Sequence, residues 1–289
     1  MQHLQKNDIG TLSRFPSSRS FAILIFICEH LVSTSISFGQ IDPTTYRPTR
    51  LNLLPNTSIY FPEALSETGL AGGYMRISST NFPIDVPVVW DAQGTASQLA
   101  VTDIYAQATI NGFFAGDTPV GALIRPGQTV VSPGIFQFGD FLPLTGAGGG
   151  GQAVSGNSKC VVGFTFQSSL IPGDSYEGAT MWDASGAHVI SGLEGMNSTG
   201  QSVNASDVLV GITRNTSDPF DTVYGGFIGR NGTATRLNFP DFPEPRGFEI
   251  NDAGWIVGSW ETTAERARGY TARYDLDTGA QEIHDLGLF

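Results

Sequence analysis

Short apolar segments alternate with turns rich in Gly, Asp and Asn along most of this chain. The clearest case is "GFEINDAGWIVGSW", residues 247–260. Its two halves, "GFEIN" and "WIVGSW", have the composition of β-strands, and "DAG" between them is typical of a tight hairpin turn. The pattern therefore predicts an antiparallel hairpin.

Similar hairpin segments recur at a nearly constant spacing along the chain. They are "LSETGLAGG", "ATINGFFAG", "SGNSKCVVG", "NASDVLVG" and "INDAGWIVG", and they end at Gly73, Gly116, Gly163, Gly211 and Gly258. The spacings between these glycines are 43, 47, 48 and 47 residues. A fixed period of this length indicates tandem structural repeats. We interpret the glycine as a point of close approach in the second strand, where either a narrowing sheet or a β-bulge requires it.

Each hairpin is followed by a second strand pair, as in "YTARYDLDTG" and "AQEIHDLGLF" at the end of the chain. Four short antiparallel strands in about 47 residues is the size of one propeller blade. One such sheet exposes two apolar faces, and stacking on its copies buries both. We predict an all-β fold, a β-propeller of about five four-stranded blades. The units span about 58–101, 102–143, 144–196, 197–240 and 241–289.

Closure of the ring has two solutions. The segment "RPTRLNLLP", residues 47–55, resembles "TATRLNFPD", residues 233–241, which is predicted to be a fourth strand. Either the N-terminal copy pairs into the last blade and displaces "EIHDLGLF", or the ring is incomplete and its sheet edges need cover.

The first 39 residues differ from the rest. Three basic residues precede the apolar run "FAILIFIC", residues 21–28, and small residues follow it, with cleavage expected near Ser37 or Gly39. This layout predicts a secretory signal peptide over residues 1–39, then a segment 40–57 with a possible ring-closing strand, and a propeller over 58–289. An uncleaved anchor is the alternative, but eight apolar residues are too few to cross a bilayer.

Charge excludes several classes of partner. Without residues 1–39, fifteen basic residues fall to 12 and twenty-seven acidic residues to 25, so the net charge is −13, and Lys159 is the only lysine. Nucleic acids require clustered basic residues, so we expect no nucleic-acid binding. We also expect no membrane insertion after signal cleavage. Cys160 is then the only cysteine, and "KCVVGF" predicts a small buried residue in a strand.

The repeats resemble the extracellular HAF repeat family. The matching motifs are "INDAGWIVGS", "WDASG" and "HDLG", although the His-Ala-Phe tripeptide itself is absent. The resemblance covers most of residues 58–289. It implies a secreted protein without established activity, and it supplies no catalytic residues.

A polar residue recurs near the turn of the hairpins, except in the third, where Gly156 takes its place. The predicted positions are Ser66, Asn111, Gly156, Asn204 and Asn251. We expect these residues to cap the turn by accepting backbone N–H bonds. The alternative is a ring of polar groups at one mouth of the channel, where it would hold a sugar or a cation.

Other candidate sites have weak signals. Carboxylates on or near the inner strands are Glu63, Asp103, Asp207, Glu249 and Asp252, and no pattern selects a pair of them for hydrolysis. "DLDTG" at 275–279 predicts a hairpin turn rather than a calcium loop. "TGAGGGGQ" at 145–152 predicts a linker rather than a phosphate loop. We therefore assign no catalytic, cofactor-binding or metal-binding residue.

Five Asn-x-Ser/Thr sequences add candidate glycan acceptors, which matter only in a eukaryotic secretory pathway. They begin at Asn56, Asn197, Asn204, Asn215 and Asn231.

The sequence thus predicts a secreted, non-enzymatic β-propeller that serves as an extracellular interaction or structural module, with a glycan or a protein as partner. The natural binding surface is the channel mouth together with the variable loops at 79–85, 167–176, 215–221 and 261–268. The alternative is an extracellular carbohydrate-active hydrolase that uses axial carboxylates.

Overall fold

The computed structural model describes residues 49–288 with short internal gaps. The gaps are residues 67, 78–83, 102–106, 115–116, 129, 138, 147–149, 169–174, 195, 216–223, 262–266 and 280. Within the described ranges every regular element is a strand. No helix there is long and apolar enough to cross a membrane. The predicted signal peptide lies outside the described residues.

Twenty strands form five consecutive groups of four, and in each group the strands pair antiparallel with their neighbours along the chain. A single parallel pair, Asp85 with Gln107, connects the first group to the second. The first group is β1 (Thr57–Leu65), β2 (Ala71–Ile77), β3 (Ile84–Trp90) and β4 (Ala96–Gln98). The second is β5 (Gln107–Phe114), β6 (Thr118–Ile124), β7 (Val131–Gln137) and β8 (Asp140–Pro143).

The other three groups are separate four-stranded sheets. The third is β9 (Gly151–Gly156), β10 (Val161–Ser168), β11 (Ser175–Asp183) and β12 (Gly186–Val189). The fourth is β13 (Met196–Val203), β14 (Val208–Asn215), β15 (Tyr224–Arg230) and β16 (Thr233–Arg236). The fifth is β17 (Arg246–Ile250), β18 (Trp255–Glu261), β19 (Ala267–Tyr274) and β20 (Gln281–Leu288).

Most of the hydrophobic core lies between successive sheets. Val162 of the third sheet packs with Leu209 and Phe227 of the fourth. On the other face of the fourth sheet, Val210 packs with Tyr270 of the fifth. One sheet buries two apolar faces only when it has a neighbour on each side. This stacking confirms the predicted β-propeller of five four-stranded blades.

A β-bulge in the first strand of each blade explains the recurring glycine. In the fourth blade the register shifts between Gly200 and Ser202, opposite Gly211 of β14. A Cβ on Gly211 would lie 2.2 Å from the carbonyl oxygen of Thr199, well inside van der Waals contact. The corresponding distances are 2.0, 1.9, 2.0 and 1.9 Å at Gly73, Gly121, Gly163 and Gly258. Of the two interpretations of this glycine, a narrowing sheet or a β-bulge, the structure shows the β-bulge.

The prediction that Gly116 is the recurring glycine of the second blade was wrong. Gly116 lies outside the described residues, before β6 begins at Thr118. Gly121 of β6 faces Ile110, next to the bulge of β5, as the other four glycines face theirs. Gly121 lies beyond the segment "ATINGFFAG", and only strand register shows that it, and not Gly116, meets the bulge.

The segment before β1 covers the first blade. Leu51 and Leu54 pack on its core, and the Trp90 indole donates to the carbonyl of Asn52 at 2.9 Å. Leu237, in the sequence copy of this segment, packs likewise on the fifth blade. The last blade keeps its own outer strand, because β20 pairs with β19 along its length. "EIHDLGLF" is therefore not displaced, which favours the second of the two closure alternatives.

Candidate functional site

The first turn of a blade is held by one polar side chain, as predicted. The Ser66 hydroxyl accepts a bond from Leu70 N at 2.9 Å. The side-chain oxygens of Asn204 and Asn251 accept bonds from the residues that begin β14 and β18, at 3.0 and 2.8 Å. In the third blade this residue is Asn157 and not Gly156, and its side-chain oxygen accepts from Lys159 N and Cys160 N. The prediction missed it because this turn is one residue shorter.

Two of these asparagines also connect neighbouring blades. Asn157 Nδ2 donates to the carbonyl of Asn204 at 2.7 Å, and Asn204 Nδ2 donates to the carbonyl of Asn251 at 3.0 Å. These bonds between blades were not predicted from the sequence, although the spacing of 47 residues from Asn157 to Asn204 and from Asn204 to Asn251 was the available signal. Asn111 is different again, since it lies at the bulge of β5 and donates to the carbonyl of Ala153 in the next blade.

An ion pair spans the groove between the third and fourth blades on the side of these turns. Lys159 reaches across it, and its Nζ lies 2.8 Å from Asp207 Oδ2. The Asn157 amide donates to the other oxygen of Asp207 at 2.9 Å. The hydrogen bond from Lys159 holds the pKa of Asp207 below its usual value. Lys159 and Asp207 thus pair across this groove while both stay accessible to solvent, since their side chains are 60 % and 34 % exposed.

The groove between the fourth and fifth blades stays open. Here the turn residues that face each other are small, namely Ser206, Ala253 and Gly254. The resulting cavity of about 570 Å³, which we call the cleft, has the volume of a small-ligand site. Its lining comes from the turns of both blades and from the ends of β15, β19 and β20. Sequence reasoning did not predict this site.

Charged groups of both signs line the cleft. Arg230 in the fourth blade and Asp277 in the fifth face each other at 3.7 Å. The buried Nε of Arg230 has no hydrogen-bond acceptor among the described residues. The guanidinium group of Arg273, an exposed residue, forms no hydrogen bond or ion pair with a described residue. Asp275 is engaged in its own turn, where bonds from Thr278 N and Asp277 N lower its pKa.

The predicted inner carboxylates do not come together as one group. Asp252 lines the cleft and accepts from Ala205 N at 2.7 Å. Glu249 accepts a hydrogen bond from Ser202 between the fourth and fifth blades, and burial raises its pKa to about 7. Burial likewise raises the pKa of Glu63, at the bulge of the first blade, to about 7. Asp207 is paired with Lys159 as described, and Asp103 lies outside the described residues.

The remaining candidates have structural roles. Cys160 is 3 % exposed within the core between the third and fourth blades, and burial raises its pKa to about 11, so it is the predicted small buried residue. Residues 275–279 form a hydrogen-bonded turn, as predicted. Part of the glycine-rich stretch 145–152 lies outside the described residues. No three His, Cys, Asp or Glu side chains in the described ranges are grouped to hold a metal ion.

The variable loops predicted as a binding surface fall largely outside the described residues. They connect the second and third strands of each blade, at the end opposite the turns that line the cleft. Asp85, the last residue of the first loop, forms an ion pair with Arg76 of β2, in which Arg76 Nε lies 2.7 Å from Asp85 Oδ1.

Comparison with known proteins assigns this sequence to no family. No protein family matches the sequence, and no curated protein is similar to it. Among solved structures, the chain is similar to the β-propeller domain of the Trilobed protease from Pyrococcus furiosus, which is described as having an open velcro topology. The identity is 10 %, the TM-score is 0.48, and the match covers 80 % of this chain and 69 % of that chain. The sheets and their stacking define this chain as a β-propeller, and its function has to be argued from its own residues.

Proposed function

We propose that this protein is a secreted, non-enzymatic β-propeller that acts as an extracellular interaction module and binds its partner in the cleft between the fourth and fifth blades. The open cleft is the observation that carries this proposal. The groove between the third and fourth blades shows the contrast, because Lys159 and Asp207 form an ion pair across it. Surface concavities lined by apolar and polar groups are the usual binding sites of proteins.

Secretion is the part of the proposal that rests on sequence. The apolar run at 21–28 and the small residues after it support an N-terminal signal, and the resemblance to the HAF repeat family points the same way. Expression of the full chain should yield a secreted form that begins near residue 38 or 40. N-terminal sequencing of the secreted protein measures this, and retention of residues 1–39 in a cell-associated form would contradict it.

Binding is tested by filling the cleft. Ser206 is exposed at the cleft, and Ser158 is exposed in the corresponding turn of the third blade. Ser206→Trp should abolish retention of the protein on extracellular material from its source, while Ser158→Trp should leave it unchanged. Equal retention of both variants would show that the cleft is not the binding site.

The second candidate function, a carbohydrate-active hydrolase, is supported by one observation. Glu63 and Glu249 each have a pKa raised to about 7, which suits a general acid near neutral pH. They belong to different blades, and a glycosidase needs two carboxyl groups about 5–10 Å apart. Release of reducing sugar from polysaccharides, lost in Glu249→Gln, would establish this function in place of the first.

A further inference from the structure

We propose that the ligand of the cleft is a neutral oligosaccharide, held against Tyr274 and hydrogen-bonded by Arg273 and Asp252. This inference depends on the proposed binding function and adds the chemical class of the ligand. It follows from the charge, the apolar surface and the unused hydrogen-bonding groups of the cleft.

The charge of the lining disfavours an anionic ligand. Two arginines, Arg230 and Arg273, stand against four carboxylates, a formal net charge of −2. The carboxylates are Asp252, Asp275, Asp277 and Glu282. Since the whole chain carries a net charge of −12, the surrounding field also repels anions. The two guanidinium groups are therefore better suited as hydrogen-bond donors to hydroxyl oxygens than as an anion site.

The cleft also offers apolar surface beside the polar groups. Tyr274 and Leu276 line it and are half-buried, since they pack from the outside on the core between the fourth and fifth blades. A pyranose ring has an apolar C–H face bordered by hydroxyl groups. An aromatic ring flanked by carboxylates and guanidinium groups matches both parts of such a ring.

Donors and acceptors remain for a ligand after the protein's own bonds are made. Asp252 uses Oδ1 to accept from Ala205 N, and no bond to a described residue engages its Oδ2. Arg273 contributes a whole guanidinium group that has no partner among the described residues. Arg230 and Asp277 lie 3.7 Å apart, which is longer than a hydrogen bond, so both groups keep hydrogen-bonding capacity for a ligand hydroxyl that approaches from the cleft. Sugar hydroxyls donate and accept, and they match this mixed set.

The experiment is a comparison of ligand classes with the full-length secreted protein. An array carrying neutral, uronate-containing and sulfated oligosaccharides should show binding to neutral members. Titration calorimetry with the best neutral oligosaccharide should then show a loss of affinity of at least tenfold in Arg273→Gln and in Asp252→Asn. Ser206→Trp should abolish binding, and the matched Ser158→Trp should bind like the wild type. Circular dichroism of each variant checks that the blades are folded.

The outcomes separate the ligand class from the binding function. Preference for sulfated or uronate-containing oligosaccharides, or unchanged affinity in Arg273→Gln and Asp252→Asn, would overturn the proposed ligand. If the protein binds extracellular material in a way that Ser206→Trp abolishes but binds no oligosaccharide, the ligand class is wrong and the interaction function stands. If Ser206→Trp has no effect on either, both proposals fail.

Discussion

Replacing Glu249 by Gln should make the protein more stable at alkaline pH and leave it unchanged in acid. Glu249 lies where the first strands of the fourth and fifth blades meet, and its carboxylate accepts a bond from Ser202 Oγ. The Ser202 hydroxyl also accepts from Ile250 N at 3.3 Å. A glutamine oxygen accepts the same bond from Ser202, so the substitution removes the charge and keeps the shape.

The magnitude follows from the raised pKa. The carboxyl titrates at its ordinary value of 4.5 in the unfolded chain and at about 7 in the fold, where burial disfavours the charged form. The fold therefore prefers protonated Glu249, and stability is lost as pH rises from the unfolded pKa through the folded pKa. At ~1.4 kcal/mol for each pH unit, the full loss is about 3 kcal/mol. Because Glu249 retains partial exposure, this figure is an upper value.

Urea denaturation between pH 4 and pH 9 measures this effect. We expect the wild type and Glu249→Gln to have similar free energies of unfolding at pH 4, and the variant to be more stable by up to about 3 kcal/mol at pH 8. Glu282→Gln, an exposed change in the same sheet, is the control and should follow the wild type. Parallel pH profiles for the wild type and Glu249→Gln would refute the reasoning.

Three further substitutions or probes test the blade architecture. Asn204→Ala removes a turn cap and a bond to the next blade, and it should lower the free energy of unfolding in urea by about 2–3 kcal/mol. Asn251→Ala removes only the cap and should lower it by about 1 kcal/mol. Equal losses of stability in the two variants would argue against the interblade bond. Gly258→Ala places a Cβ 1.9 Å from Arg246 O and should lower stability by about 1–3 kcal/mol, and a loss below about 0.5 kcal/mol would contradict the bulge. Cys160 should resist a thiol reagent at pH 8 in the native protein and react in urea, and rapid native reaction would show that the core between the third and fourth blades opens.

The repeat made most of the fold predictable. Local signals such as "DAG" and "DLDTG" specify turns by their own backbone preferences, and strands between them follow from apolar composition. Because one four-stranded sheet cannot bury both faces, the period of about 47 residues then implied stacked blades. Each of these inferences concerns neighbours along the chain or copies of one unit, which sequence displays directly.

The predictions from sequence were wrong at positions where strand register decides which residue takes a given role. Gly116 was chosen because it ends the segment that matches the other hairpins, and only the pairing of Gly121 with Ile110 shows which glycine meets the bulge. Gly156 was chosen over Asn157 because a turn one residue shorter shifts the cap. Insertions of a single residue leave the pattern of the repeat almost unchanged while they change the role of each side chain.

The sequence by itself determined the period, the all-β class and the stacked sheets, because these follow from turn chemistry and from apolar faces that need cover. Only the tertiary structure decided which pair of blades has a cleft between them. Lys159 bridges one groove by reaching Asp207, which lies 48 residues further along the chain, and the next groove holds the cleft that Ser206 and Ala253 line. The reason is that a cleft is the space left between side chains of different blades, and their distance in space is set by packing and not by their order in the chain.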